Sequence, residues 1–238
     1  MSALEFILHP TLEEFGKVRN FADGPFVRDA YYGFISDNIF LARCEGGIVG
    51  WLTYSRREIY VELENIYVNP DYRRKKVGTF LMEKATEYFI QRGICVLEIN
   101  AVSPEGRAHA RSLGFSFVEE NNTWHNDYTR YMKILCPYRR QSRKANNMLC
   151  IWKKDYYMTK PYKDPDMSWS LGNSKLPIIF RCKPYDWTAA IVIDGKIVKQ
   201  ELILNLLNTT SMYVRLETKG TEVQLWEPGF MKGIQYTH

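Results

Sequence analysis

LENIYVNPDYRRKKVGTFLMEKA, residues 63–85, holds a strand end, a polar loop and a helix start in one run. The strand side belongs to IYVELENIYV (59–68), the longest β-like segment of the chain, which Asn69-Pro70 terminates. From Val77 to Gln91 the apolar residues Phe80, Leu81, Ala85, Tyr88 and Phe89 recur on one helical stripe, and Gly93 is placed to cap the C-terminus. Between the two stand four consecutive cations, Arg73, Arg74, Lys75 and Lys76. The first turn of a helix leaves backbone N–H groups unpaired and carries a partial positive charge, so this junction suits a pyrophosphate. Val77, Gly78 and Thr79 would supply the amides, and Gly78 removes a side chain where a phosphate must approach the backbone closely.

Outward from this junction the elements alternate. EFILH (4–8) reads as a short strand, and Thr11 with Glu14 forms a capping box that opens a helix over 11–21. A second helix is expected over 26–36. Ile39 to Arg43 and IVGWLTYSRR then form a hairpin about Gly46-Gly47. ICVLEINAV (94–102) is a buried-strand run, 104–113 a short helix, and 115–120 with 128–135 a closing hairpin pair. The order β-α-α-β-β-β-α-β-α-β-β predicts a mixed α/β (α+β) fold with a central mixed sheet flanked by helices over residues 4–135. After Pro137 strands are expected near 148–157, 177–183 and 188–193, a helix near 198–207 and a hairpin over 211–227. That is a smaller α+β module.

At 238 residues the chain exceeds a single domain of about 150 residues without reaching two large ones. The charge map agrees with a division into 1–136, a basic join at 137–163, and 164–238. Residues 1–136 hold 16 Lys+Arg against 18 Asp+Glu, whereas 137–163 holds eight cations against Asp155 alone. Arg139, Arg140, Arg143, Lys144, Lys153 and Lys154 of this join are interleaved with Tyr138, Trp152, Tyr156, Tyr157 and Tyr162. Cations and aromatics together are how single-stranded nucleic acid is held, so a nucleic-acid partner is one expectation; a solvated linker is the plainer one. The five cysteines are odd in number and scattered, which fits free thiols in a reducing cytoplasm better than a disulfide scaffold. Neither they nor the four histidines have metal-ligand spacing, and no metal is expected. No apolar run approaches the ~18 residues of a membrane span, so no membrane partner is expected either.

Residues 4–135 resemble the GNAT superfamily of acyl-CoA-dependent N-acyltransferases. The likeness lies in the element order, in the ending ARSLGF (110–115), and in the loop after the fourth strand. The family's motif there is Q/R-x-x-G-x-G/A; here Arg73 takes its first position and Gly78 its second glycine, while Lys76 stands where the first glycine is usual. The resemblance implies acetyl-CoA as co-substrate. Backbone groups of Ile66, Tyr67 and Val68 would hold the pantetheine arm, in the manner of an added strand. Arg74, Lys75 and Lys76 would face phosphates, Val77 to Thr79 would offer N–H groups, and Arg73 counts with them among the cofactor-binding residues.

An alkyl ammonium has a pKa near ~10, so acyl transfer to an amine needs a base. Glu62 and Glu64 project from one face of a regular strand. Leu63-Glu64-Asn65-Ile66-Tyr67-Val68 followed by Tyr72-Arg73 is similar to the L-E-D-x-x-V-x-x-x-Y-R pattern of spermidine-type acetyltransferases, and this implies Glu64 as the catalytic residue. Strict alternation sets Glu64 on the partly apolar face of Ile66 and Val68, which would raise its pKa; a bulge would change that face. The tyrosine with which the family often protonates the leaving thiolate falls on Ala110, and His109 and Ser103 are nearby alternatives. Two functions are expected from this reading: an N-acetyltransferase acting on an amine acceptor, or a non-catalytic binding protein on the same scaffold that uses its basic C-terminal part.

Overall fold

The computed structural model describes residues 3–22, 24–57, 59–101, 103–123, 126–142, 145–153, 164–172, 174–181, 187–199, 213–220 and 222–225. The chain divides into two compact units, 1–136 and 137–238.

The first unit is built on seven strands: β1 (Glu5–Ile7), β2 (Ile39–Cys44), β3 (Gly47–Arg56), β4 (Tyr60–Val68), β5 (Val96–Ala101), β6 (Ser116–Thr123) and β7 (Asn126–Ile134). They lie in the order β1-β2-β3-β4-β5-β7-β6. β4 and β5 run parallel, joined by the crossover helix α3 (Val77–Gln91); the other neighbours are antiparallel. The expected element order is therefore realised. The Thr11 capping box forms with both of its bonds, but the helix expected over 11–21 is α1 (Leu12–Gly16) followed by a 3₁₀ turn over Lys17–Asn20. Gly16, a weak helix former, marks the change of winding. α2 (Gly24–Ile35) and α4 (Pro104–Ser112) complete the unit.

Both faces of the central strands are covered, which explains why β3 is buried along nearly its whole length. One face packs Phe40, Leu52, Val61, Leu63 and Leu97 against Val77, Leu81, Ala85 and Phe89 of α3. The opposite face packs Ile39, Leu41 and Trp51 against Phe15, Val18 and Ala30 from the α1–α2 side. Gly50 sets the approach of α3. A Cβ at that position would lie 2.9 Å from the Tyr67 carbonyl oxygen and 3.0 Å from Val77 Cγ1, so only glycine lets the first turn of α3 sit against the β3–β4 pair.

The described part of the second unit is a pair of antiparallel sheets. One has the order β12-β11-β8-β9 and the other β10-β13-β14. Their strands are β8 (Asn147–Lys153), β9 (Met167–Ser170), β10 (Ile178–Arg181), β11 (Trp187–Ile193), β12 (Lys196–Lys199), β13 (Tyr213–Lys219) and β14 (Glu222–Leu225). Leu149, Ile151, Trp169 and Ala189 of the first sheet share one buried cluster with Ile178, Phe180, Val214 and Leu216 of the second, so the two sheets face each other. The helix expected near 198–207 is corrected at its start, where Val198 and Lys199 belong to β12; residues 200–207 lie outside the described residues. β9 was not anticipated from the sequence. The basic join expected at 137–163 is, where described, built into this unit: the Arg139 N–H bonds to Pro177, that of Ser142 to Ser168, and 147–153 form a central strand.

Candidate functional site

β4 and β5 part company. Their parallel pairing runs from Tyr60↔Val96 to Leu63↔Ile99 and stops, while β4 stays paired with β3 as far as Val68↔Gly50. From Glu64 onward, β4 therefore presents one unpaired backbone edge. This edge includes Ile66, Tyr67 and Val68, where the sequence placed a pantetheine-binding segment.

The loop beyond is tightly wound. The Asn69 side chain accepts a 3.0 Å bond from the Asp71 N–H and starts a 3₁₀ turn over Pro70–Tyr72. Arg74 and Lys76 then adopt left-handed backbone, with φ of +63° and +60°. Each costs an L-residue roughly 1–2 kcal/mol. The strain is held because β4 and α3, both packed in the core, determine where the loop begins and ends. It also supplies the physical reason for a glycine at the position of Lys76 in the resembling motif. Lys76 is the N-cap of α3 and its side chain caps nothing. The Phe80 N–H bonds the Lys76 carbonyl at 2.9 Å, which leaves the amides of Val77, Gly78 and Thr79 ahead of the helical ladder.

Arg73, Arg74, Lys76 and the residues Val77 to Thr79 line a cleft of about 300 Å³ together with Val68, Tyr72 and His109. Lys75 stands apart, its Nζ 4.7 Å above the Tyr72 ring. Arg73 also turns back, its Nε donating to the Val68 carbonyl at 3.4 Å. A Cβ on Gly78 would meet His109 Nε2 and Val68 Cγ2 at 3.7 Å, which is ordinary contact. Protein packing therefore does not require glycine there. An exposed helix terminus, cations and the cleft together fit the phosphates of an acyl-CoA.

The side chain of Tyr67 faces away from the cleft. Its ring packs 4.9 Å from Phe26 and 5.9 Å from Trp51, on the α1–α2 face.

The bulge falls on β4 itself. Thr53 pairs with Asn65 and Tyr54 with Leu63, so Glu64 has no partner across the ladder. Side-chain alternation resets there: Val61 and Leu63 before it, and Ile66 and Val68 after it, all pack toward the same core. The partly apolar setting expected for Glu64 is thereby corrected. Glu64 is exposed, and the Ser55 hydroxyl donates to its carboxylate.

The half-buried carboxylate is Glu62. Its Oε1 accepts from Asn100 Nδ2 at 2.7 Å, and Arg130 Nε donates to Asn100 Oδ1 at 3.1 Å. The same Arg130 Nε pairs at 2.9 Å with Glu98, whose side chain is 2% exposed. Burial, reinforced by the nearby Glu98 charge, raises the pKa of Glu62; Arg130 opposes it. This chain of residues from β4, β5 and β7 was not found from sequence. Its members are distant along the chain, and the bulge that distinguishes Glu62 from Glu64 leaves no mark in an alternating pattern.

His109 is half-buried on α4, and burial lowers its pKa. Ser103, the other residue near the missing tyrosine, is the N-cap of α4 and accepts from the Gly106 N–H at 3.0 Å, a structural duty. Ala110 is buried.

Of the cations expected to meet nucleic acid, Arg139 is 8% exposed and its guanidinium is enclosed. Nη1 donates to the Ser170 carbonyl, and Nη2 to the Ser174 and Leu176 carbonyls and to Thr218 Oγ1, at 2.6–3.1 Å. It is a brace inside the second unit and is not presented to a phosphate. Arg140 is exposed. Arg143, Lys144 and Lys154 lie outside the described residues, and Lys153 is described by its backbone in β8 alone. Among the described residues no group of three or more His, Cys, Asp or Glu could hold a metal ion, and no helix is long and apolar enough to cross a membrane.

Residues 8–115 match the model of the acetyltransferase (GNAT) family. An uncharacterised N-acetyltransferase of Methanocaldococcus jannaschii is 31% identical over 97 residues, which is 37% of this chain. The chain spans 43% of that relative's length. Among solved structures, a putative GNAT-family acetyltransferase from Desulfovibrio desulfuricans covers 56% of this chain and 100% of its own, with TM-score 0.49 and 15% identity. PaiA N-acetyltransferase from Thermoplasma acidophilum, solved with coenzyme A, covers 56% and 99% with TM-score 0.45 and 15% identity.

Proposed function

Because residues 8–115 match the model of the acetyltransferase (GNAT) family, we propose that the protein is an N-acyltransferase that moves an acetyl group from acetyl-CoA to an amine. The observation that carries this reading is the continuity of the site. The open edge of β4 leads directly into the cleft at the start of α3, where three amides and the cations Arg73, Arg74 and Lys76 converge. Arg74 and Lys76 attract the phosphates, the amides of Val77 to Thr79 orient them, and the free edge of β4 accepts the extended pantetheine arm.

Acetyl-CoA supplies the activated thioester carbonyl. The acceptor nitrogen forms the new C–N bond as the C–S bond breaks, and the acceptor must lose a proton in the process. Glu62 is the carboxylate best placed to take it, since burial raises its pKa toward that of its task and Asn100 fixes one oxygen. The leaving thiol, with a pKa near ~8.5, departs without a dedicated acid, consistent with Ala110 at the position of the family's tyrosine.

Mass spectrometry of a cell extract incubated with isotope-labelled acetyl-CoA tests the proposal. Label entering an amine product only when the protein is present is the expected result. Incorporation equal to the protein-free control would contradict it.

A further inference from the structure

Resting on the acyl-CoA reading of the cleft, we infer that His109 is a phosphate ligand: Nε2 donates to a phosphate oxygen seated at the first turn of α3, and the ring takes up a proton as the ligand binds. Its placement is the first support. Nε2 lies 3.7 Å from the point where a Gly78 Cβ would stand, and the ring lines one cleft with Val77, Gly78 and Thr79 at the helix start. The ring lines the same cleft as Arg74 and Lys76. Its backbone is anchored: the His109 carbonyl accepts from the Leu113 N–H at 3.1 Å and from Ser112 Oγ at 2.7 Å. Among the described residues its imidazole finds no hydrogen-bond partner.

The charges around the ring determine the sign of the effect. The loop and α3 present the cations Arg73, Arg74 and Lys76, with Tyr72. From β4, the apolar Val68 lines the cleft, and Ile66 and Val68 lie within 4.0 Å of the Gly78 Cβ position. On its own helix Glu105 lies one turn earlier, while Arg107 and Arg111 are engaged with Thr129 and Tyr131 of β7. Burial lowers the pKa of His109, so the free protein favours the neutral ring. A phosphate inserted between the ring and the helix terminus reverses this balance and favours the imidazolium. Binding is then linked to proton uptake from solvent, and affinity weakens as pH rises through the value His109 has in the complex.

Calorimetric titration of the full chain with dephospho-CoA, whose pyrophosphate does not titrate near neutrality, tests this. Titrations are run between pH 6 and 8.5 in buffers of different ionisation enthalpy, with the wild type and with His109→Gln. The wild type should take up a fraction of a proton that His109→Gln does not. Its affinity advantage over the variant should grow from near unity at pH 8.5 to about tenfold at pH 6. Binding by both proteins with equal proton uptake and a constant affinity ratio would overturn the role of His109 and leave the cleft reading intact. Absence of binding in both would overturn the cleft reading and this inference together.

Discussion

Glu62→Gln is expected to lower kcat/KM for acetyl transfer by about 10²- to 10³-fold at neutral pH, the range a positioned general base contributes. Affinity for acetyl-CoA should not change, because Glu62 lies on the stretch of β4 still paired with β5, outside the cleft at α3. Glutamine keeps the shape and one acceptor oxygen for the 2.7 Å bond from Asn100, so the loss would report the missing basicity. Glu64→Gln, by contrast, removes an exposed carboxylate that accepts from Ser55, and should cost only a few-fold. Steady-state kinetics of the two variants discriminates the residue favoured by the resemblance from the one favoured by the geometry. A large loss in Glu64→Gln with an active Glu62→Gln would reverse the assignment. Stability provides an independent check. Because burial raises the pKa of Glu62, the folded state binds the proton more tightly than the unfolded chain. Its stabilising contribution is present below the unfolded value and is lost as pH rises through the folded one. Glu62→Gln should therefore gain stability relative to the wild type between acid and neutral pH.

Gly78→Asp is expected to abolish acetyl-CoA binding, with affinity falling more than ~100-fold, while the protein becomes no less stable. The two effects separate because they depend on different partners. A carboxylate in the first turn of a helix interacts favourably with the macrodipole, by about 0.3–1 kcal/mol at an exposed site. The new Cβ meets only ordinary contacts at 3.7 Å from His109 and Val68. The same carboxylate would occupy the space and repel the charge of a phosphate. Thermal denaturation and calorimetry on one preparation give both numbers; a destabilised variant, or one that binds normally, would show that the glycine serves packing instead.

Wherever a period was long and its ends were punctuated, the fold was legible from sequence. α3 matches its expected span from Val77 to Gln91, with Gly93 in left-handed backbone just past its end. The Thr11 box and the turn at Asp194-Gly195 likewise stand where local chemistry required them. The cleft at the start of α3 was legible, because the strand end, the cations and Gly78 that form it are contiguous in the chain. The carboxylate network around Glu62 was not. Glu98, Asn100 and Arg130 reach Glu62 only through sheet pairing, and an inserted residue in β4 moves Glu64 off the expected face without altering composition or spacing. Arg139 illustrates the same limit from another direction. A run of cations reads as a charged surface, whereas carbonyls contributed from 170, 174 and 176 and the Thr218 hydroxyl turn one of them inward.

We propose that the opening turn of α3 binds the phosphates of acetyl-CoA. Amide NMR of the ¹⁵N-labelled protein during titration with acetyl-CoA tests it most directly. Saturable shifts of the Val77, Gly78 and Thr79 N–H resonances, the amides that precede the helical ladder, are expected. If these three stay fixed at millimolar ligand, the phosphates do not bind at this turn, whatever other resonances move.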